Sequence, residues 1–223
     1  MRISFVFPSM SRPTKFFKTL DNLKEFVIRE DYEVICILDL SDATMNNDAV
    51  KEKAKNYPQA KLNYTITTGK VDAINKGLEF IDPDYQILIL VADDLEFTMK
   101  GFDYEIECDM QKYAPKLDMV LHYPDQIPQS GRHQITMPVM GREFVNYFGW
   151  IYEPRFKSVW CDSYMLKISQ RLNKHKFIDK HLYNHNHPIW IREPYDELMK
   201  RNEGFYQEDS NTYFKLIAND FGL

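Results

Sequence analysis

The chain is short of cysteine, of basic residues and of long apolar runs, and each shortage argues against a class of protein. Its three cysteines, Cys36, Cys108 and Cys161, are far apart and show no CxxC spacing. That pattern argues against a disulfide framework and a zinc site, and it favours a reducing, cytoplasmic compartment. Lysine and arginine number 28 against 33 acidic residues, a formal net charge of −5. A general nucleic-acid binder needs a basic surface instead.

Long apolar segments are missing as well. The N-terminal apolar run covers only Ile3 to Phe7, which is too short for a signal peptide. A membrane span needs about 20 apolar residues, and no stretch of the chain approaches that length. We therefore expect neither a signal peptide nor a membrane span. The 223 residues are 44% hydrophobic and 14% aromatic, which is ample for the core of one α/β domain.

The most informative stretch is a short apolar run that ends in acidic residues. Residues 87–92 are all apolar, which is typical of a strand buried on both faces of a parallel sheet. Asp93 and Asp94 follow directly, and Glu96 lies two residues further on. Ligands of open α/β sheets bind at such strand ends, and adjacent carboxylates there indicate a divalent cation, Mn²⁺ or Mg²⁺. Alternatively, the two aspartates cap a helix or begin a turn.

Apolar periodicity and turn residues divide the first half into alternating strands and helices. The predicted strands cover 2–7, 32–38, 62–66 and 85–92. The predicted helices cover 14–29, with Thr14 as its cap, 48–56 and 71–80. This order predicts an α/β fold with a Rossmann-like, mostly parallel central sheet flanked by helices.

The second half is less regular. Its predicted helices cover 102–113, 142–148, 162–172 and 211–219, and its predicted strands cover 117–123, 135–139, 177–178 and 182–183. The segment from Pro124 to Arg132 has two prolines, a glycine and few apolar residues. We expect it to be a mobile loop that closes over the ligand.

The order of the motifs at the strand ends resembles that of family-2-type glycosyltransferases of the GT-A fold. Residues 3–13, ISFVFPSMSRP, resemble the family's opening strand and turn, and residues 34–42, VICILDLSD, its second strand. Residues 69–78, GKVDAINKGL, resemble the segment before its catalytic strand, and ADDLE at 92–96 its DxD-type metal motif. Residues 138–142, 160–162 and 185–188 (PVMGR, WCD and HNHP) resemble acceptor-side elements. The likeness covers about 3–188.

This resemblance implies a metal-dependent glycosyltransferase, of the hexosyltransferase class. It would move a sugar from a nucleotide-diphosphate sugar, foremost a UDP-sugar, to an acceptor hydroxyl with inversion. The resemblance also implies one domain over 1–223, with a nucleotide and metal half at 1–97, an acceptor half at 98–190 and a helical tail at 191–223.

Site residues follow from the same resemblance. Mn²⁺ or Mg²⁺ would be held by Asp94 with His185 or His187, and Asp162 would be the base that takes the acceptor proton. The predicted contacts of the nucleotide-sugar are Pro8, Ser9, Ser11, Arg12, Asp39, Gly69, Lys70, Asn75 and Asp93.

Each assignment has a purely structural alternative. Asp162 is also placed to cap a helix, Asp39 to form a turn, and Asn75 to pack a helix on a strand. Gly69 and Lys70 can be an ordinary loop, and the histidine pair a polar loop anchored by Pro188.

The chain also departs from the family's pattern. Asp39-Leu40 stands where many members have two acidic residues, and Asp-Asp-Leu-Glu replaces a strict Asp-x-Asp, so the metal-binding carboxylate stays open. A nucleotidyltransferase is one alternative, but it would usually have a glycine- and lysine-rich loop where this chain has Pro8 to Pro13. A non-catalytic domain that binds sugar or nucleotide is the other.

Overall fold

The computed structural model describes residues 1–127, 132–188 and 194–222. The predicted mobile loop at 124–132 therefore falls partly outside the described residues, as does the predicted boundary near 190. Among the described residues, no helix is long and apolar enough to cross a membrane.

Strands and helices alternate through the first half, as the periodicity predicts. The strands are β1 Ile3–Ser9, β2 Tyr32–Asp39, β3 Ala60–Thr65, β4 Ile87–Leu90, β5 Leu95–Phe97, β6 Val120–His122, β7 Val139–Gly141, β8 His175–Phe177 and β9 Tyr183–His185. The helices are α1 Pro13–Phe26, α2 Asp48–Ala54, α3 Lys70–Lys76, α4 Phe102–Tyr113, α5 Arg142–Phe148, α6 Cys161–Arg171, α7 Glu197–Glu203 and α8 Tyr206–Ala218. Short 3₁₀ turns follow at Gly77–Glu79 and Asp220–Gly222.

The described strands form a seven-stranded sheet in the order β3-β2-β1-β4-β7-β6-β8, and a small second sheet of β5 and β9. Strands β1 to β4 run parallel. Strand β7 is antiparallel to both β4 and β6, while β6 and β8 are parallel. The predicted α/β class with a mostly parallel sheet is thus confirmed.

Burial on both faces explains why the central strands are apolar throughout. Alternate side chains of a strand point to opposite faces. Phe5 and Ile89 therefore pack in the core on one side of the sheet with helix α1. Val6 and Leu88 pack in the core on the other side with helix α6.

Several predicted boundaries are wrong, for local reasons. Helix α1 begins at Pro13, and its N-cap residue is Arg12, so Thr14 is not the cap. The predicted strand at 135–139 lies instead at Val139–Gly141, because Pro138 has no N–H to donate to a sheet. Strand β5 was not predicted, since three residues are too few to show an alternation.

Candidate functional site

A cavity of about 520 Å³ opens where the strand order reverses, between β1 and β4. Ligands of open α/β sheets bind at this switch point, beyond the carboxyl ends of the strands. The predicted site residues that line the cavity are Pro8, Ser9, Arg12, Asp39, Gly69, Lys70, Asp93, Asp94, Asp162, His185 and His187. The fold thus brings together predicted site residues from six separate stretches of the chain.

Ser11 and Asn75 are not among the residues that line it. The Ser11 amide donates to Asp42 Oδ2 at 2.6 Å. The Asn75 side chain donates to the Tyr152 carbonyl at 2.7 Å and accepts from the Ile151 and Tyr152 amides, both at 2.9 Å. Asn75 therefore joins α3 to the segment after α5, and we leave both residues out of the proposed donor site.

Asp93 forms an ion pair with Arg12, which lies in the turn after β1. Arg12 Nη1 donates to Asp93 Oδ1 at 2.8 Å. The same guanidinium donates through Nε and Nη2 to both oxygens of Asp196, each at 2.7 Å. Burial, with the charge of Asp94, raises the pKa of Asp93 although Arg12 opposes the rise. Arg12 therefore joins the acidic strand end to Asp196, the N-cap residue of helix α7.

Asp94 is paired with a histidine on strand β9. His185 Nε2 lies 3.4 Å from Asp94 Oδ2, and His185 Nδ1 lies 3.6 Å from Asp125 Oδ2. Burial lowers the pKa of His185, but the neighbouring carboxylates of Asp125 and Asp94 outweigh it and raise that pKa to about 9. Burial likewise opposes ionisation of Asp94, yet its hydrogen bond with His185 and the charges around it lower its pKa.

Asp125 is nearly inaccessible, with 2% of its side chain exposed. It accepts from the Ile127 amide at 3.0 Å and from Thr136 Oγ1 at 2.9 Å. Its own carbonyl accepts from the His185 amide at 3.2 Å. Asp125 thus holds the backbone of His185 and lies beside its ring, whose Nε2 faces Asp94.

Lys70 begins helix α3 and extends into the cavity. Burial lowers its pKa, but Cys161, Asp162, Asp94 and Asp93 raise it overall, so the ammonium is charged at neutral pH. One amide of the helix terminus beside it is engaged within the protein, because the Val71 amide donates to the Lys157 carbonyl at 3.1 Å.

Gly69 allows the close approach that this contact requires. A Cβ atom at residue 69 would lie 2.9 Å from the Lys157 carbonyl oxygen. The cation of Lys70 is therefore a group that this corner offers to an anion.

Asp39 also lines the cavity. Its Oδ1 accepts from the Ser41 amide and hydroxyl at 2.8 and 2.5 Å, and its Oδ2 from the Thr67 amide and hydroxyl at 3.0 and 2.5 Å. Burial opposes ionisation, but these four hydrogen bonds lower the pKa of Asp39 to about 2. Asp39 thereby ties the turn after β2 to the turn after β3, and a ligand would have to share these contacts.

Asp162 lies in the first turn of α6 and lines the cavity. It is not the helix cap: the N-cap residue is Trp160, and Asp162 Oδ1 accepts from the next amide, Ser163, at 2.7 Å.

The loop that leads to Asp162 is held by a carboxylate from helix α8. The fully buried Asp209 accepts from the amides of Lys157, Ser158 and Val159 at 2.8, 2.8 and 2.9 Å. A carboxylate that receives several amide hydrogen bonds is a strong anchor.

The C-terminal helices also cover one side of the cavity. Tyr195, Leu198, Met199 and Asn202, from the start of α7 and from α7 itself, line it, as does Tyr206 at the start of α8. The tail is therefore a wall of the site rather than an appendage.

Several solved structures have a similar fold. The chain is similar to S. aureus TarS 1–349 in complex with UDP-GlcNAc, with a TM-score of 0.67 and 15% identity over 90% of this chain and 61% of that one. It is similar to the mannosyltransferase PcManGT from Pyrobaculum calidifontis in complex with GDP-Man and Mn²⁺, with a TM-score of 0.63 and 15% identity over 80% and 54%. It is also similar to glucosyl-3-phosphoglycerate synthase from Mycobacterium tuberculosis in complex with Mn²⁺, UDP and phosphoglyceric acid, with a TM-score of 0.60 and 13% identity over 86% and 73%.

The chain has the GT-A fold. No protein-family model matches its sequence, and no curated protein does. The chain spans less than two thirds of the TarS and PcManGT chains. At such low identity the likeness concerns the GT-A fold, and the roles of the site residues depend on this chain's own geometry.

The sequence did not predict four residues that support this site, namely Asp125, Thr136, Asp196 and Asp209. The three aspartates act on partners far away in the chain, for example 52 residues in the contact of Asp209 with Lys157, and Thr136 contacts Asp125 across 11 residues. Local periodicity carries no information about such pairs.

We expect Asp209→Ala to destabilise the protein, because three amides of one loop would lose their acceptor. An unsatisfied buried donor costs about 1–3 kcal/mol, so the free energy of unfolding should fall by roughly 3 kcal/mol or more. Urea unfolding followed by circular dichroism measures this change. Glu208→Ala, at the exposed neighbouring position, is the matched control. A loss for Asp209→Ala no larger than the control's would show that the carboxylate is not an anchor.

Proposed function

We propose that this chain is a glycosyltransferase that moves a sugar from a UDP-sugar to an acceptor hydroxyl. The observation that carries the proposal is the convergence of Asp93, Asp94, Lys70 and Asp162 on one cavity at the switch point of a GT-A sheet. Its volume of about 520 Å³ lies within the range of small-molecule sites.

The donor side of the cavity has to receive a diphosphate. Lys70 supplies a charged ammonium there, and Arg12 a guanidinium. Both line the cavity together with Asp93 and Asp94. Two of the similar structures contain UDP or UDP-GlcNAc and one contains GDP-Man, which supports a nucleotide-sugar donor and favours uridine.

A divalent metal fits the donor atoms of Asp94 and His185. Among the residues that the structure describes, no group of three or more histidines, cysteines or acidic residues is arranged to hold a metal. Neighbouring ligands of an octahedral ion, with bonds of about 2.1 Å, stand about 3 Å apart, and the 3.4 Å from Asp94 Oδ2 to His185 Nε2 is close to that. Water and diphosphate oxygens would complete the shell.

Asp125 is suited to support such a site. Metal-bound histidines almost always donate their second ring N–H to a carboxylate or carbonyl, and Asp125 lies beside Nδ1 of His185. When bound, Mn²⁺ or Mg²⁺ would neutralise charge on the departing nucleoside diphosphate. His187 also lines the cavity, with its ring 5.4 Å from that of His185, and is a further candidate ligand.

We assign the proton transfer to Asp162. Its Oδ1 is engaged by the Ser163 amide, so Oδ2 would take the proton from the acceptor hydroxyl while the hydroxyl oxygen attacks the anomeric carbon. Attack opposite the diphosphate inverts the anomeric configuration, and the charged Lys70 favours the negative charge that develops on the leaving group.

We expect Asp94→Asn to abolish the dependence of UDP binding on Mn²⁺. Loss of outer-shell support alone typically costs 10–100-fold in metal affinity, so loss of a direct ligand should weaken UDP binding in Mn²⁺ by about 100-fold or more. Isothermal titration calorimetry in Mn²⁺ and in EDTA measures this. Glu96→Gln is the control, because Glu96 is acidic, close in sequence and not among the residues that line the 520 Å³ cavity. Equal affinity of the unmodified protein for UDP in Mn²⁺ and EDTA would refute the metal site.

We expect Asp162→Asn to lower kcat by about 10²–10⁴-fold, the usual contribution of a general base, and to leave UDP affinity and melting temperature close to those of the unmodified protein. The release of UDP from a UDP-sugar in the presence of acceptor measures kcat. Near-normal turnover would remove Asp162 from the mechanism and favour a non-catalytic binding domain or another base.

A further inference from the structure

A second cavity, of about 250 Å³, lies between helix α1 and the residues that follow strand β4. The residues of α1 that line it are Lys15, Lys18, Thr19 and Asn22. They follow one another at intervals of three, four and seven residues from Lys15, which places them on one face of the helix. Helix α1 therefore presents a polar face with two lysines to this second cavity.

Three carboxylates also line the second cavity, those of Asp93, Asp94 and Glu96. Each has a cation or a hydrogen-bond donor beside it, namely Arg12 at 2.8 Å, His185 at 3.4 Å and Asn186 at 3.0 Å, respectively. The negative charge of the second cavity is therefore largely met by groups other than the two lysines.

The two lysines are not tightly paired. Lys15 is half-buried and acts on Asp93 and Asp196 through its charge, without an ion pair or a hydrogen bond to any residue that the structure describes. Lys18 Nζ lies 4.0 Å from Glu96 Oε1, which is beyond hydrogen-bond distance. Helix α1 has no acidic residue in its first turn, so its positive end adds to the charge of the lysines. This side of the cavity therefore favours an anion.

Thr19 points to a ligand independently of the lysines. Only 3% of the residue is exposed, and it lines the second cavity. Its hydroxyl has no hydrogen-bond partner among the described residues, although it is not one of the polar atoms that are sealed from solvent. Polar groups of buried residues are nearly always partnered. An oxygen atom of a ligand in the second cavity would supply the missing partner.

A phosphate monoester fits these groups better than other small ligands. Its phosphate group carries about −1.5 to −2 charges at neutral pH and three strong acceptor oxygens, so it can accept from two ammonium groups and a hydroxyl at once. A carboxylate offers one charge and two oxygens, and a neutral polyol would leave the ammonium charges unmatched. The volume of about 250 Å³ lies below the about 300–1,000 Å³ of sites for drug-sized ligands, so the esterified alcohol has to be small.

We propose that Lys15, Lys18 and Thr19 bind the phosphate group of a small phosphate monoester in the second cavity. The site is separate from the proposed donor cavity, and it does not depend on sugar transfer. Asp93 and Asp94 line both cavities, so a ligand in one alters the electrostatic field in the other.

The test is isothermal titration calorimetry on the full chain, with UDP and Mg²⁺ present to occupy the donor cavity. The probes are glycerol 3-phosphate and inorganic phosphate, with glycerol as the neutral probe. We expect both phosphates to bind, glycerol 3-phosphate more tightly, and glycerol not to bind. Lys15→Ala and Thr19→Val should each weaken glycerol 3-phosphate about tenfold or more, the usual value of one hydrogen bond to a charged group.

Lys24→Ala is the matched control, because Lys24 is an exposed lysine of the same helix and is not among the residues that line the second cavity. It should bind glycerol 3-phosphate as the unmodified protein does. Thr19→Val keeps the shape of the side chain, so its melting temperature should stay close to that of the unmodified protein. A lowered melting temperature with unchanged affinity would instead give the hydroxyl a structural role and overturn its assignment to the ligand.

Other outcomes would overturn the site as a whole. They are absence of binding, equal affinity for glycerol and glycerol 3-phosphate, binding of inorganic phosphate alone, and equal loss in Lys15→Ala and Lys24→Ala. Lys70→Ala separates the two cavities, because Lys70 lines only the larger one of the two. Loss of binding in Lys70→Ala without loss in Lys15→Ala would place the phosphate in the donor cavity and refute the proposal.

The same experiment separates this proposal from sugar transfer. If UDP does not bind, the glycosyltransferase proposal fails, and the comparison of Lys15→Ala with Lys70→Ala still decides where the phosphate lies. If UDP binds and glycerol 3-phosphate does not, the phosphate site fails and the donor proposal stands.

Discussion

Two adjacent carboxylates at the end of a buried strand have to be met by positive charge, and the site is built around that requirement. Asp93 and Asp94 follow the central strand β4, where burial disfavours ionisation of both. Arg12 reaches Asp93 from the turn after β1, and His185 reaches Asp94 from β9. Lys70 adds its charge from the start of α3.

The pKa values of the two carboxylates are shifted in opposite directions although the residues are neighbours in sequence. The pKa of Asp93 is raised, because burial and the charge of Asp94 exceed the effect of Arg12, which it shares with Asp196. The pKa of Asp94 is lowered by its hydrogen bond with His185. Environments that separate two like groups in this way are typical of sites that assign them separate roles. Asp94 is accordingly the carboxylate that we assign to the metal.

The C-terminal helices α7 and α8 contribute two aspartates that hold parts of the site in place. Asp196, which caps α7, binds Arg12, and Asp209 on α8 holds the loop before Asp162. The proposed donor side and the proposed acceptor side of the cavity are therefore each fixed by a carboxylate from the tail. Removal of the tail would disturb both sides together.

The sequence was sufficient for the features that depend on local pattern. An apolar run followed by Asp93 and Asp94 indicates a buried strand with a ligand at its end, and both residues line the cavity. The sequence could not show that Asn75 is occupied by Tyr152, or that Asp125 lies behind His185, since these pairs form only when distant segments pack. Strand β5, only three residues long, was missed for the same lack of local signal.

Anomalous scattering of Mn²⁺ in crystals of the chain grown with UDP is the most direct test of the account. The account predicts a strong peak within about 2 Å of Asp94 and His185 side-chain atoms, with the diphosphate of UDP on the side of Lys70. UDP outside this cavity, or bound in it with no manganese peak at Asp94, would contradict the account.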